Sequence, residues 1–432
     1  MSEENLRIEL IHDGSLQHEG YQPLGYYIKP ALHGPMPRVL DERGDYRWSV
    51  FAKGGELIGS QGYSPLFGEW QSTLKTGDVD SKHSFRETLV VPYVVEGQVI
   101  IERRMPLVGW RKVAVVNIPK ETDPPFAPKG THLRPLHEGG PSAKCVNICF
   151  ISEGYSYKEE LQFLEDAQRA SEMLLAAAPY SEHKDKINTY ALAKLSRYTG
   201  IPLSEKEDAT NTNFDTSYGA LGMDRYMVIR DPHALHEAIG NTPCDAIVVL
   251  CNSDKYGGCG LFNQHCALPA RIEPDVFEYL LLHEFGHAFA GLGDEYFDSG
   301  VTYTQEWLQM NPPWEPNVSL LERGEVRWQA KVSPDTPVPT PWRKDEYVEL
   351  AKAARDAVDH IDPNAANKAH LGDFLRAEAH YGKVGAFEGA RYTATGLYRP
   401  EVDCRMFSKT AKSFCAVCSE TIANTIKRVS GQ

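Results

Sequence analysis

The spacing of apolar residues divides the chain into a strand-rich first part and a mixed second part. Short runs rich in β-branched residues lie at 90–95, 99–103 and 113–118, with turn residues between them, which predicts strands. We therefore expect a small antiparallel β-sandwich, an accessory domain, over residues 1–120. Residues 121–144 are rich in Pro, Gly and His, which is typical of a linker.

From residue 145 onward, strand-like and helix-like patterns alternate. Apolar residues recur at helical spacing in some segments, and continuous apolar runs occur in others. In chain order these predict a strand at 145–151, a helix at 157–178, strands at 187–195 and 246–250, and helices at 345–358 and 415–428. The predicted fold class is α+β, with a second, mixed α/β domain over residues 145–432.

One segment of the second part carries a metal-binding pattern. Residues 283–287 read His-Glu-Phe-Gly-His and follow an apolar run. Side chains four residues apart project from the same face of a helix, so His283 and His287 can bind one metal ion. Glu284 stands where it can reach a water molecule on that ion. The pattern predicts a zinc hydrolase, whereas the alternative is a buried helix that carries two histidines by chance.

A catalytic zinc ion usually has three protein ligands and one open position. Gly291 can end the helix at positive φ and turn the chain back toward the metal. Asp294 and Glu295 follow, and either carboxylate can supply the third ligand. We favour Asp294, which gives the spacing H-E-x-x-H-x-x-x-G-x-x-D, one residue longer than the metzincin form and with an acid in place of its last histidine.

The predicted reaction is metal-assisted hydrolysis of peptide bonds. Zinc lowers the pKa of its bound water toward about 7, so that hydroxide forms at neutral pH. Glu284 is the expected general base, which takes the proton and passes it to the leaving amine. The cofactor predicted from the motif is therefore one catalytic zinc ion.

Several motifs resemble the bacterial IgA peptidase family of zinc metallopeptidases. The run from His283 to Tyr296 is close to the signature of that family, and further similar runs occur in the same order. These runs are 59–70, 85–88, 255–260, 384–390, 396–400, 404–406 and 414–418. The resemblance covers most of the chain and implies a secreted or surface peptidase with an N-terminal β-domain and a metzincin-like catalytic domain. It implies a protein or glycoprotein substrate.

Five further residues have two interpretations each. Met406 is similar in place to a Met-turn beneath the metal ligands, although a methionine more often only packs in a core. Tyr398 can donate a hydrogen bond to the oxyanion, or can simply occupy a turn. Tyr256, Gly257 and Gly258 can form an edge strand that pairs with an extended peptide, since glycine allows close backbone approach; a tight turn fits them equally well.

The net charge and the length of the apolar runs argue against some classes of binding partner. The 432 residues carry a net charge of −14, which argues against nucleic acid and anionic membranes as partners. No apolar run approaches membrane-spanning length, so membrane insertion is not expected. The first residues lack a signal peptide, so either the chain stays inside the cell or its export segment is not part of this sequence.

The nine cysteines include one C-x-x-C pair, Cys415 and Cys418, preceded by Cys404. A disulfide from Cys404 to one of these two is possible, and simple thiol burial is equally consistent with the sequence. The sequence has no second C-x-x-C, which argues against a four-cysteine zinc site of the paired C-x-x-C type.

Two other function classes are compatible with part of the pattern. One is a non-catalytic protein- or glycan-binding module that retains a zinc site. Such a module would be expected to have a damaged motif, but Glu284 and both histidines are intact. The other is a zinc hydrolase that acts on a substrate other than a peptide, although H-E-x-x-H on a helix more often serves peptide bonds.

Overall fold

The computed structural model of the chain describes most of its residues, and these group into two compact units. The described residues are 4–30, 39–74, 81–106, 109–124, 131–205, 212–240, 242–297, 311–356 and 364–431. The first unit comprises residues 1–176, 180–290 and 424–432, and the second unit comprises 177–179 and 291–423.

The N-terminal part of the first unit is rich in strands. In chain order its elements are β1 (Glu4–Gly14), β2 (Glu19–Pro30), β3 (Val39–Asp41), β4 (Tyr46–Ala52), β5 (Leu57–Tyr63), α1 (Leu66–Thr73), β6 (His83–Pro92), β7 (Gly97–Met105) and β8 (Gly109–Ile118). Strands β2-β1-β6 form one antiparallel sheet, and β3-β5-β4-β7-β8 form a second sheet in which only β3 and β5 pair in parallel.

The two N-terminal sheets share one hydrophobic core. Leu6, Ile8 and Leu10 alternate along β1 and are fully buried, as expected for a strand with one face against a core. The same core contains Trp48 from β4 and Ile101 from β7, which belong to the other sheet. The expectation of a β-rich N-terminal region is therefore confirmed, although the strand at the first predicted run, 90–95, ends earlier, at Pro92.

A six-stranded mixed sheet follows in the first unit. Its part of the chain contains β9 (Thr131–Glu138), β10 (Val146–Glu153), α2 (Glu160–Ala176), β11 (Ile187–Lys194), β12 (Thr216–Ser217), β13 (Val228–Ile229), α3 (Pro232–Ile239), β14 (Ala246–Cys251), β15 (Cys259–Leu261), β16 (His265–Pro269) and α4 (Pro274–Ala290). The strand order is β15-β16-β14-β10-β11-β9, with parallel pairing in the middle and antiparallel pairing at both ends. Strands β12 and β13 form a separate small pair.

The sequence pattern explains the centre of this sheet better than its edge. Every residue of β10 and of β14 is buried, which suits parallel strands covered on both faces and agrees with the apolar runs. Strand β9 lies inside residues 121–144, the range expected to be a linker. Most of its residues are exposed and it includes Pro135, both of which an edge strand tolerates. The strand therefore lacks the apolar periodicity that would have predicted it.

The second unit contains fewer regular elements. They are α5 (Lys344–Asp356), α6 (Asn364–Arg376), the hairpin of β17 (Phe387–Ala390) and β18 (Thr393–Arg399), and the start of α7 (Ala416–Val429). Helices α5 and α7 match the two helices predicted from the sequence; residues 357 and 358 of the first prediction lie outside the described residues. The whole is a mixed α+β structure. None of the described helices is both long and apolar enough to span a membrane.

Helix α4 lies unusually close to the edge strand β15. A Cβ atom on Gly260 would lie 2.3 Å from the carbonyl oxygen of Glu284 and 2.9 Å from Cβ of His287. Both distances are well inside van der Waals contact, so only glycine allows this approach of helix and strand. Gly260 therefore fixes the height of α4 above the sheet edge.

We expect Gly260→Ala to force α4 away from β15, because backbone and Cβ atoms cannot rotate aside. The free energy of unfolding should fall by about 1–3 kcal/mol, as for overpacked cores, measured by denaturant titration. Gly54→Ala is the matched control, since a Cβ there meets nothing within 4 Å. Equal stability of the two variants would contradict this role of Gly260.

Candidate active site

The H-E-x-x-H segment lies on α4, a long helix buried along most of its length. The helix begins at Pro274, and Leu280, Leu281 and Leu282 are at most 2% exposed. It packs against β15, β16 and helix α2. The last two turns therefore bring imidazole and carboxylate groups into a largely apolar environment, where they need polar partners or an ion.

The two histidines of the motif converge. The Nε2 atoms of His283 and His287 are 3.2 Å apart, and the ring planes are perpendicular with centroids 4.7 Å apart. His283 is 4% exposed and His287 is half-buried. Both belong to one of two groups of metal-ligating side chains found among the described residues. The predicted same-face arrangement of these two residues is therefore present in the structure.

Tyr279 supports the first histidine from one helical turn earlier. Its hydroxyl oxygen lies 3.4 Å from Nδ1 of His283, and the two rings stack with centroids 5.3 Å apart. A hydrogen bond at Nδ1 leaves Nε2 available as a ligand and orients the ring. Tyr279 was not identified from the sequence, although its i−4 position relative to His283 was a signal that could have identified it.

Glu284 is half-buried and faces the chain segment before β15. A Cβ atom on Gly258 would lie 3.3 Å from Oε1 of Glu284, so the carboxylate approaches the glycine backbone closely. Burial raises the pKa of the Cys259 and Cys266 thiols well above the usual range, and the negative charge of Glu284 raises both pKa values further. The two thiols beside this carboxylate are therefore neutral at pH 7.

Residues 256–258, expected to contact substrate, lead directly into the edge strand β15. A Cβ atom on Gly257 would lie 2.2 Å from the carbonyl oxygen of Arg225, and the backbone N–H of Gly258 donates to the same oxygen at 3.3 Å. Glycine is thus required here for packing against residue 225. Substrate contact by Tyr256, Gly257 and Gly258 stays a prediction.

The helix ends as predicted. Gly291 has φ of +62° directly after Ala290, the left-handed conformation that commonly terminates helices. Asp294 follows in the second unit and is 8% exposed. The hydroxyl of Tyr392 donates a hydrogen bond to Oδ2 of Asp294, and the N–H of Arg391 donates to its carbonyl oxygen at 2.9 Å. Tyr392 was not identified from the sequence, because no spacing relates it to the motif.

Glu295, the alternative third ligand, points into a different environment within the second unit. Its Oε1 accepts a hydrogen bond of 2.9 Å from Asn317 and lies 3.2 Å from Sγ of Cys418. Burial raises the pKa of Glu295 well above its usual range, and the charge on Cys404 raises it further. The backbone N–H of Glu295 donates to the carbonyl of Met406 at 2.9 Å, so the buried Met406 adjoins the segment that carries Asp294.

Tyr398 lies on β18 in an open groove of the second unit. Its backbone exchanges two hydrogen bonds with Ser319, of 3.1 and 2.9 Å. The groove is also lined by Lys344 and Glu388, which form an ion pair of 2.6 Å. Partial burial raises the pKa of Tyr398, and Glu388 raises it further, so the phenol remains a proton donor at neutral pH. Its role toward an oxyanion stays a prediction.

All nine cysteines are free thiols in the structure, and eight of them are buried. Of the two possibilities for Cys404, Cys415 and Cys418, the structure therefore shows burial without a disulfide.

Family models match nearly the whole chain. The model described as IgA Peptidase M64 matches residues 134–426, and the one described as Peptidase M64 N-terminus matches residues 1–105. The first match contains α4 with both histidines, and the second contains nearly all of the strand-rich N-terminal part. No curated protein matches the chain.

We expect Tyr279→Phe to lower the affinity for a divalent ion by about 10- to 100-fold, because the hydrogen bond that orients His283 is lost. Competition with a chromogenic chelator measures this affinity. Tyr157→Phe is the control, since that ring is 74% exposed. An unchanged affinity in Tyr279→Phe would show that its hydroxyl does not support the ligand.

Proposed function

Because the chain belongs to the IgA peptidase M64 family, and is therefore a peptidase, we propose that it is a zinc-dependent endopeptidase that cleaves protein or glycoprotein substrates. The observation that carries the proposal is the convergence of the His283 and His287 Nε2 atoms at 3.2 Å. The resemblance further leads us to propose that it acts outside the cell or at its surface.

The donor atoms of the two histidines fit zinc. Two nitrogen ligands at 2.0–2.1 Å in a tetrahedral shell are separated by about 3.3 Å, close to the observed 3.2 Å between the Nε2 atoms. Imidazole nitrogen is a common zinc donor, and the hydroxyl of Tyr279 beside His283 is the kind of supporting group that zinc ligands usually have.

We propose Asp294 as the third ligand. The turn at Gly291 places it seven residues after His287 in the chain. Its carboxylate receives a hydrogen bond from Tyr392, and such a bond orients ligating carboxylates. The neighbouring carboxylate of Glu295 is instead directed toward cysteines, which favours Asp294 of the two candidates.

In this proposal Glu284 is the general base. A zinc ion at the histidines would supply a Lewis acid that makes water acidic enough to lose a proton near pH 7. Glu284 is half-buried beside Gly258, where its carboxylate can accept that proton and return it to the leaving amine. Tyr398 remains the proposed donor to the oxyanion, and Met406 remains the proposed Met-turn, which rests on the resemblance.

Strand β15 is the proposed docking edge for an extended peptide. It lies at the end of the six-stranded sheet and pairs antiparallel with β16. An extended peptide would add as a further strand beside Gly260, between the hydrogen bonds that Gly258 and Phe262 make to other segments. Gly258 precedes this strand and adjoins Glu284, so a peptide on this edge would pass near the base.

A helix packed on such a sheet supports a zincin architecture, and two sheets around one core support an N-terminal sandwich.

Glu284→Gln should retain zinc and lower the turnover number by about 10²- to 10⁴-fold, the usual contribution of a general base. Digestion of a broad peptide library, followed by mass spectrometry with and without chelator, measures the activity. Glu165→Gln is the control, since that side chain is exposed on α2. Wild-type cleavage by Glu284→Gln would exclude it as the base, and chelator-insensitive cleavage would exclude a metallopeptidase.

His283→Ala should remove one equivalent of zinc per chain, because one imidazole cannot hold the ion with a carboxylate alone. Asp294→Asn should weaken the same ion, whereas the folded structure persists in both variants. Elemental analysis of the purified proteins and circular dichroism measure these outcomes. Zinc content equal to that of the wild type in His283→Ala would reject the histidine site.

A further inference from the structure

A second group of metal-ligating side chains lies entirely within the second unit. It consists of Glu295, Cys404, Cys415 and Cys418, each at most 2% exposed, and one ligand atom from each lies within 4.8 Å of all the others. A buried carboxylate is costly without a polar partner or a cation, and the three thiols that converge on it are donors that a soft or borderline metal ion binds.

Backbone N–H groups point at the sulfur atoms of this cluster. The Sγ atom of Cys404 accepts hydrogen bonds from the N–H groups of Cys415 at 3.2 Å and Met406 at 3.5 Å. The Sγ atom of Cys415 accepts from the N–H of Cys418 at 3.4 Å. Hydrogen bonds to sulfur favour the thiolate form, which is the form that binds metals.

Helix α7 places two of the three cysteines at its positive end. Cys415 immediately precedes the helix, and Cys418 lies in its first turn. The partial positive charge at a helix N-terminus stabilises thiolates, as in other C-x-x-C motifs. The N-terminal end of α7 therefore lies beside both proposed sulfur ligands.

The protein groups around the cluster leave part of that charge unbalanced. The nearby guanidinium of Arg399 donates to backbone carbonyl oxygens of Gly389 at 2.8 Å and Val402 at 3.2 Å. Oε2 of Glu295 is buried and accepts no hydrogen bond from the described part of the chain. A divalent cation among the four groups would bind the carboxylate of Glu295 and neutralise two charges.

We propose that Glu295, Cys404, Cys415 and Cys418 form a second, structural zinc site. Thiolates select soft and borderline ions, and four closed protein ligands are typical of structural zinc. In a tetrahedral shell, a sulfur and an oxygen ligand are separated by about 3.5 Å. The Sγ atoms of Cys418 and Cys415 lie 3.2 and 3.8 Å from Oε1 of Glu295.

This site would join three segments of the second unit that are distant in sequence. Glu295 follows the turn at Gly291, Cys404 lies after β18, and Cys415 and Cys418 begin α7. Because Asp294 directly precedes Glu295, the structural ion would also hold the proposed third catalytic ligand in place. That last consequence rests on the proposed function, whereas the site itself does not.

Zinc analysis of the full-length protein provides the first test. We expect two zinc ions per chain in the wild type, one in Cys418→Ser and one in Cys404→Ser. Cys145→Ser is the matched control and should keep both ions, since that thiol lies near the carbonyl of Asp185 rather than in the cluster. A single ion in the wild type that is lost in His283→Ala would overturn the cysteine site.

X-ray absorption at the zinc edge of His283→Ala provides the second test, and it does not depend on the folding of any cysteine variant. The remaining ion should show a shell of sulfur atoms at about 2.3 Å. A shell of only nitrogen and oxygen would overturn the proposal. So would alkylation of the denatured, unreduced protein at fewer than all nine cysteines, because it would reveal a disulfide. The two zinc proposals fail separately, since unchanged zinc content in His283→Ala rejects only the histidine site.

Discussion

The close packing of helix α4 on the edge strand β15 is the constraint on which the candidate active site depends. Gly260 permits the approach because a side chain there would overlap the backbone of Glu284. The side chains of the three leucines before the motif are also buried, so the helix is covered by other parts of the protein around this turn. With the helix held in this way, the two imidazoles converge and the glutamate faces the sheet edge, and the proposed metal ligation, proton transfer and peptide docking all depend on this arrangement.

Asp294 and Glu295 are adjacent in the segment after α4, but their carboxylates lie in different environments. Asp294 receives a hydrogen bond from Tyr392, whereas Glu295 is held by Asn317 and the backbone of Met406. The chain after Gly291 is irregular, and its conformation is maintained by such polar contacts rather than by a helix or a sheet. In such a segment, adjacent carboxylates can point in different directions, and a metal at the cysteines would rigidify it further.

Sequence patterns predicted the parts of the fold whose burial is either continuous or periodic. The continuous apolar runs of β10 and β14 and the helical spacing of α2 marked those elements correctly. Strand β9 was not identified because an exposed edge strand has no buried face to create alternation. In the candidate site, the i, i+4 relation of His283 and His287 is encoded locally, and so is the positive φ of the glycine that ends their helix.

The sequence by itself therefore determined the local geometry: a buried helix that carries two imidazoles and a carboxylate, followed by a glycine turn. Only the tertiary structure decided which groups meet across long separations in the chain. Tyr392 reaches Asp294, and three cysteines gather around Glu295 from positions more than 100 residues away. Local sequence patterns predict contacts between residues within one helical turn or between paired strands. The long-range contacts depend instead on how whole segments pack, and no period or spacing in a single sequence encodes that packing.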